Sequence, residues 1–346
     1  VKNLISNLDT GRVMQVILIG VLVGVLPLGL ARSDASRSNH VSALYPLEKP
    51  VGLDPKKIDL GRKLFNDPRL SKSGTIACAT CHNLASGGVD HLKFSRGIDG
   101  QLADTNAPTV LNSGLNFRQF WNGRAASLEE QAAGPILNPK EMGSSWDSVV
   151  KVLRADPEYE TAFHSIYGAS GDSRAVVDSI AEFERSLVTL DAPLDRYLRG
   201  ETSALNAHQV AGLEKFERLG CISCHQGKGV GGNMFQRVGV AEDYFKIRGG
   251  KYPSDDGRFA LTGKEEDRHI FKVPSLRNIE LTAPYFHDGS AATLPDAVRT
   301  MARVQLGRKL TSRDVDDIVA FLKALTGKTP ETAFPSSPDR VPAHDH

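Results

Sequence analysis

Cys78-Ala-Thr-Cys81-His82 and Cys221-Ile-Ser-Cys224-His225 contain all four cysteines of this 346-residue chain. Two thiols three positions apart on one helical turn can add to the two vinyl groups of a haem. The adjoining histidine is then held beneath the iron as its proximal ligand. One such pentapeptide could equally be half of a zinc site or a small Cys-rich loop. A shared zinc, however, needs cysteine pairs that lie close together, and these begin at positions 78 and 221, 143 residues apart. Two cassettes with no cysteine left over therefore predict two covalent haem c groups, one on Cys78, Cys81 and His82, the other on Cys221, Cys224 and His225.

The elements around the cassettes repeat. Gly61-Arg-Lys-Leu-Phe65 precedes the first and Gly212-Leu-Glu-Lys-Phe216 the second, and both read as helices. Each copy then closes on an amphipathic pattern, Ile180, Phe183, Leu187 and later Ile318, Phe321, Leu325. Between these landmarks Pro108-Thr-Val-Leu-Asn112 aligns with Pro274-Ser-Leu-Arg-Asn278, and Phe120 to Leu128 with Phe286 to Leu294. Seven residues further on, Pro135 stands opposite Met301. A thioether is a good sixth ligand for a haem that only passes electrons, and proline has no ligating side chain. The expectation is a closed second iron, His225/Met301, and a first iron held by His82 with an open sixth face. Met14, Met142 and Met234 are the other methionines, and Met14 lies in the leader.

If Pro135 lies over the first haem, Gln131 and Glu141 flank the same space. Heterolytic cleavage of a peroxide needs a group that moves a proton from one oxygen to the other. Glu141 can do this while Gln131 holds the substrate by hydrogen bonds. From spacing alone, Glu141 reads equally as a carboxylate ahead of the helix from Trp146 to Leu153, and Gln131 as a surface residue. Trp121 stands where the other copy has His287, and a redox-capable aromatic there could link the two irons. Of the remaining histidines, His287 is expected to line the second pocket, and His91 is the competitor for the first iron.

With 42 basic and 41 acidic residues, nucleic acid is not an expected partner. The length suits two modules with one haem each. Residues 1–31, with Lys2 and Arg12 ahead of an apolar run from Val13 to Leu30, read as a signal peptide or an N-terminal anchor. This predicts export to the periplasm. A flexible lead is expected at 32–45, an N-terminal domain at 46–203, a C-terminal domain at 204–330 and a Pro-rich flexible tail at 331–346.

Across residues 46–330 the chain resembles the bacterial diheme cytochrome c peroxidases. The likeness rests on both cassettes, on FWNGRAASLEEQAAGP with NPKEM, and on FKVPSLRNIELTAPYFHDGSAATL with Met301 beyond it. The resemblance implies a mainly α fold of two cytochrome c-like domains, with a peroxidatic haem in the first and an electron-accepting haem in the second. It implies reduction of hydrogen peroxide to water with electrons from a small c-type cytochrome or cupredoxin, passing via Trp121 to the open N-terminal haem. Gln131 and Glu141 match residues that activate peroxide. An interface calcium is implied on the Asn106 side chain and the Thr282 and Pro284 carbonyls, as is a homodimer.

One position departs from the pattern. Many members carry a gating histidine in a Gly-His-Gly loop, and Ser95-Arg96-Gly97-Ile98-Asp99-Gly100 has Ile98 there. The first haem is therefore expected to be peroxide-reactive already in the fully oxidised protein. Two rivals remain: a diheme enzyme that matures a tryptophan-derived quinone, and a non-catalytic diheme electron-transfer cytochrome. The first has tyrosine as its corresponding sixth ligand, so Met301 counts against it. The open iron and the Gln131/Glu141 pair count against the second.

Overall fold

The computed structural model describes residues 43–334. The leader expected at 1–31, most of the lead at 32–45 and the end of the tail lie outside them. The described chain is mainly helical: α1 Pro55–Phe65, α2 Cys78–Cys81, α3 Leu128–Leu137, α4 Trp146–Arg154, α5 Pro157–Tyr167, α6 Ser173–Ser186, α7 Pro193–Leu198, α8 Ala207–Leu219, α9 Tyr244–Arg248, α10 Phe259–Thr262, α11 Leu294–Leu306 and α12 Ser312–Lys323. A small antiparallel pair joins β1 Phe235–Arg237 to β2 Ile270–Lys272, with Phe235 opposite Lys272.

Local chemistry sets the helix ends. Asp54 caps α1 by accepting from the Lys56 N–H, and Pro55 takes the first position, where no helical donor is needed. Asn206 and Gln209 form a reciprocal capping box at α8, and Thr311 and Asp314 do so at α12. Two crossings organise the cores: α1 on α6, and α8 on α12. Each depends on a glycine. A Cβ on Gly61 would sit 1.9 Å from the Ser179 carbonyl oxygen, and one on Gly212 would sit 1.9 Å from that of Asp317. Behind each glycine an aromatic pair locks the crossing, Phe65 with Phe183 at 5.4 Å and Phe216 with Phe321 at 5.1 Å between centroids. The repeat seen in the sequence is thus a repeat of packing.

Each cassette borders its own apolar cluster, one around Leu64, Ile180 and Phe183, the other around Leu213, Ile318 and Phe321. The first and last described segments pack on the opposite clusters. Leu44, from the stretch expected to be a flexible lead, is buried in the second cluster and bridges to Gly227. Ala333, from the expected flexible tail, is buried in the first, where Arg62 donates to the Phe334 carbonyl. Both segments carry apolar side chains that a core can take up. Leu194, which a division at 203 assigns to the first half, also packs in the second cluster. Beside it, the fully buried Asp195–Arg277 pair (2.8 Å) accepts the Leu47 N–H, tying the incoming chain to this half.

Candidate functional site

The second cassette opens onto an apolar cleft. Cys221, Cys224 and His225 line it with Met301 of α11, and Phe216, Leu294, Ile318 and Leu322 supply its walls. Burial pushes the Cys221 thiol up to about 11 and the His225 imidazole down to about 4. The first cassette behaves alike. Burial pushes Cys78 up to about 12 and Cys81 to about 11, and lowers His82. His82 Nδ1 lies 3.2 Å from the Gly88 carbonyl. With the proton on Nδ1, the Nε2 lone pair faces away and is available to an iron. In the second half the donor set and the apolar walls therefore fit a covalently held haem, and in the first half the same donor set borders the Leu64–Phe183 cluster.

The two halves carry unlike residues at one matching position. Ser127 caps α3 as Thr293 caps α11, so Pro135 and Met301 occupy matching helical positions. Pro135 lies inside α3 and gives no N–H to the Gln131 carbonyl one turn back. The chain then folds over itself at 138–143, where the Met142 N–H donates to the Pro135 carbonyl at 3.1 Å. This return brings Glu141 back to the Pro135 end of α3. Glu141 is half-buried, and burial raises its carboxyl above the ordinary value, against the Asn138 amide at 2.7 Å and the Arg124 guanidinium. Arg124 stacks on the Phe120 ring at 3.3 Å. Gln131 is half-buried on α3.

Ile98 is buried against Gly143, and its N–H donates to the Glu141 carbonyl at 2.9 Å. The 95–102 loop thus braces the turn that carries Glu141. Gly97 allows this, since a Cβ there would meet the Lys140 carbonyl at 2.0 Å. His91 has both ring nitrogens engaged, Nε2 with Ser86 Oγ at 2.6 Å and Nδ1 with the Ala283 carbonyl at 3.0 Å.

Trp121 and His287 meet edge to face, 6.3 Å between ring centroids, at the junction of the halves. The backbone here is exchanged symmetrically. Asn106 N–H donates to the His287 carbonyl, and its repeat mate Lys272 donates to the Trp121 carbonyl, each at 2.8 Å. Trp121 Nε1 is held by the Asn106 carbonyl at 2.9 Å. Asn106 Nδ2 donates to the Leu92 carbonyl, which leaves Oδ1 free of that bond. Asn112 and Asn278, also repeat mates, both bond to Thr189 between them.

A buried polar cluster that sequence reasoning missed surrounds His287. Its Nε2 lies 2.9 Å from Asp255, Arg248 bridges Asp255 and Asp288, and the Tyr244 hydroxyl donates to Asp288 at 3.0 Å. Asp255, His287 and Asp288 have the types of a metal site, but protein groups already engage each of them. Arg248 and Asp255 come from the stretch between the second cassette and the Pro274 block. There the repeat offset widens from 143 to 166 residues, and that widening was the one available signal.

Residues 55–203 match the family model for di-haem cytochrome c peroxidase. A cytochrome c551 peroxidase of Nitrosomonas europaea is 46% identical over 320 residues, 91% of this chain and 94% of that protein. One of Pseudomonas aeruginosa is 40% identical over 336 residues, 94% and 96% of the two chains. Among solved structures, a MauG-like protein associated with microbial copper homeostasis superposes with a TM-score of 0.72 at 29% identity, covering 85% of this chain and 96% of that one.

Proposed function

The chain belongs to the bacterial di-haem cytochrome c peroxidase family and is an enzyme of that type; from that premise we propose that it reduces hydrogen peroxide to two waters, consuming two electrons and two protons. Cys78 and Cys81 would anchor one haem above His82. Cys221 and Cys224 would anchor the other above His225, with Met301 as its sixth ligand. When bound, haem supplies the iron redox chemistry that peroxide reduction requires.

The observation that carries this reading is the unlike pair at one repeat position. Met301 lines the cleft with His225, whereas Pro135 offers no donor. Glu141, returned to Pro135 by the 138–143 turn, accepts a proton from the nearer peroxide oxygen and delivers it to the departing one. Its raised carboxyl value suits a group that must both take and give a proton near the working pH. Gln131 holds the substrate through its side-chain amide. Arg124 supplies positive charge opposite Glu141. Electrons enter on the second side from a small c-type cytochrome or cupredoxin, and Trp121, fixed by Asn106, carries them across.

Asn106 Oδ1 and the Thr282 and Pro284 carbonyls suit a calcium ion, with water completing the shell. Export to the periplasm and a homodimeric assembly complete the proposal. Among the described residues no helix is long and apolar enough to cross a membrane. Peroxide turnover with a reduced cytochrome donor tests the reading. Glu141→Gln should retain both haems and lose about 10²–10⁴ in rate, the range of a positioned proton-transfer group. Full activity in that variant removes Glu141 from the mechanism.

A further inference from the structure

Lys272 ends β2 and lines the second cleft, yet the residue is only 6% exposed. Its Nζ has no hydrogen-bond or ion-pair partner among the described residues, and burial alone lowers its value to about 8. No carboxylate of the described residues acts on it, burial being its one perturbation; Asp255 and Asp288, the buried acids around His287, bind Arg248 instead, with His287 and Tyr244 adding to them. Arg237, the other long cation of the cleft, is held by the Glu266 carbonyl. A buried ammonium without a counter-charge is strongly unfavourable, so a missing anion is the economical explanation. The group that Cys221, Cys224 and His225 fit carries two carboxylates of its own.

We propose that Lys272 is the counter-ion of a propionate on the second haem, and that this buried positive charge holds the second site at a higher reduction potential than the first. At the matching place in the first half stands Asn106, which is neutral. Lys272 acts here as a positioning and charge-setting residue. Its backbone N–H, bonded to the Trp121 carbonyl at 2.8 Å, fixes the main chain of β2 at the junction of the halves. The proposal rests on the reading that the second cassette holds a haem.

The test is spectroelectrochemistry of the holoprotein, each haem followed by its own absorption bands, for wild type, Lys272→Met and Lys272→Arg. Lys272→Met should cut the reduction equilibrium constant of the second site at least tenfold, about 59 mV for one electron, and leave the first site in place. Lys272→Arg should restore most of the shift. An unmoved second potential in Lys272→Met, with two haems per chain, overturns the proposal. If that variant fails to fold, redox-difference infrared spectroscopy of the wild type decides. An ionised propionate that responds to reduction of the second site supports the ion pair, and a protonated propionate in both states refutes it. One haem per wild-type chain would instead sink the underlying reading of the second cassette.

Discussion

Gly61→Ala and Gly212→Ala should each destabilise the protein, although alanine is the better helix former. Helix propensity favours the change by about 1 kcal/mol per site. The crossing opposes it. The new methyl carbon would lie 1.9 Å from a carbonyl oxygen in both cases, and 2.8 Å or 2.7 Å from the Cβ of Phe183 or Phe321. Real Cβ contacts essentially never fall below 3.0 Å, so each helix pair must part by more than an ångström. The obstructing oxygens belong to the α6 and α12 backbones and cannot rotate away as a side chain would. Overpacking of a dense core costs about 1–3 kcal/mol and sometimes more, and separation also loosens Phe65–Phe183 or Phe216–Phe321. A 1.9 Å approach to backbone belongs at the upper end of that range, so the net expectation is a loss of about 2 kcal/mol at either site. Urea titration of the holoprotein, each half followed through its own haem absorption, would measure it. Gly61→Ala should shift the first-half transition and Gly212→Ala the second. Unchanged or raised stability in either variant would show that the crossings are not as close as described.

Two further predictions concern the first half. The isolated diferric protein should give a high-spin electron paramagnetic resonance signal from the first site beside a low-spin one from the second, because Ile98 is packed on Gly143 and His91 has both nitrogens engaged; only low-spin signals would show that a protein donor reaches the first iron. Glu184 lies in α6 near Cys78, and burial pushes its carboxyl up to about 8, with Arg185 opposing and Glu129 reinforcing. The folded chain therefore keeps a proton that the unfolded chain releases above about 4.5. Its contribution is fully present below that value and is lost as pH rises towards 8, by at most about 5 kcal/mol at 1.36 kcal/mol per unit. Glu184→Gln should be the more stable protein at pH 8 and lose this advantage towards pH 5. A wild-type-to-variant difference that does not move with pH would contradict the assignment.

The parts of this protein legible in one dimension are those whose chemistry is local. A cassette is one helical turn, so its thiol spacing and histidine can be read without a fold. The helices of both crossings were legible because apolar periodicity and caps are short-range. The Met301/Pro135 contrast was legible because duplication let one half index the other.

What the linear pattern could not convey depends on burial by distant segments. Glu184 looks like any helical glutamate, and only the α1–α6 core and the first cassette make it a buried acid where Leu322 stands in the other half. Arg248 and Asp255 meet Asp288 across tens of residues. The exchange of chain ends, Leu44 to one core and Ala333 to the other, likewise has no local signature. Residue order alone determined where the two Cys-x-x-Cys-His cassettes stand and that one repeat position carries a thioether while its mate is a proline, because covalent spacing and repeat alignment survive unfolding. Tertiary structure alone decided that the buried Lys272 has no side-chain partner among the described residues, since isolation from water and from counter-charge is a property of everything packed around a side chain.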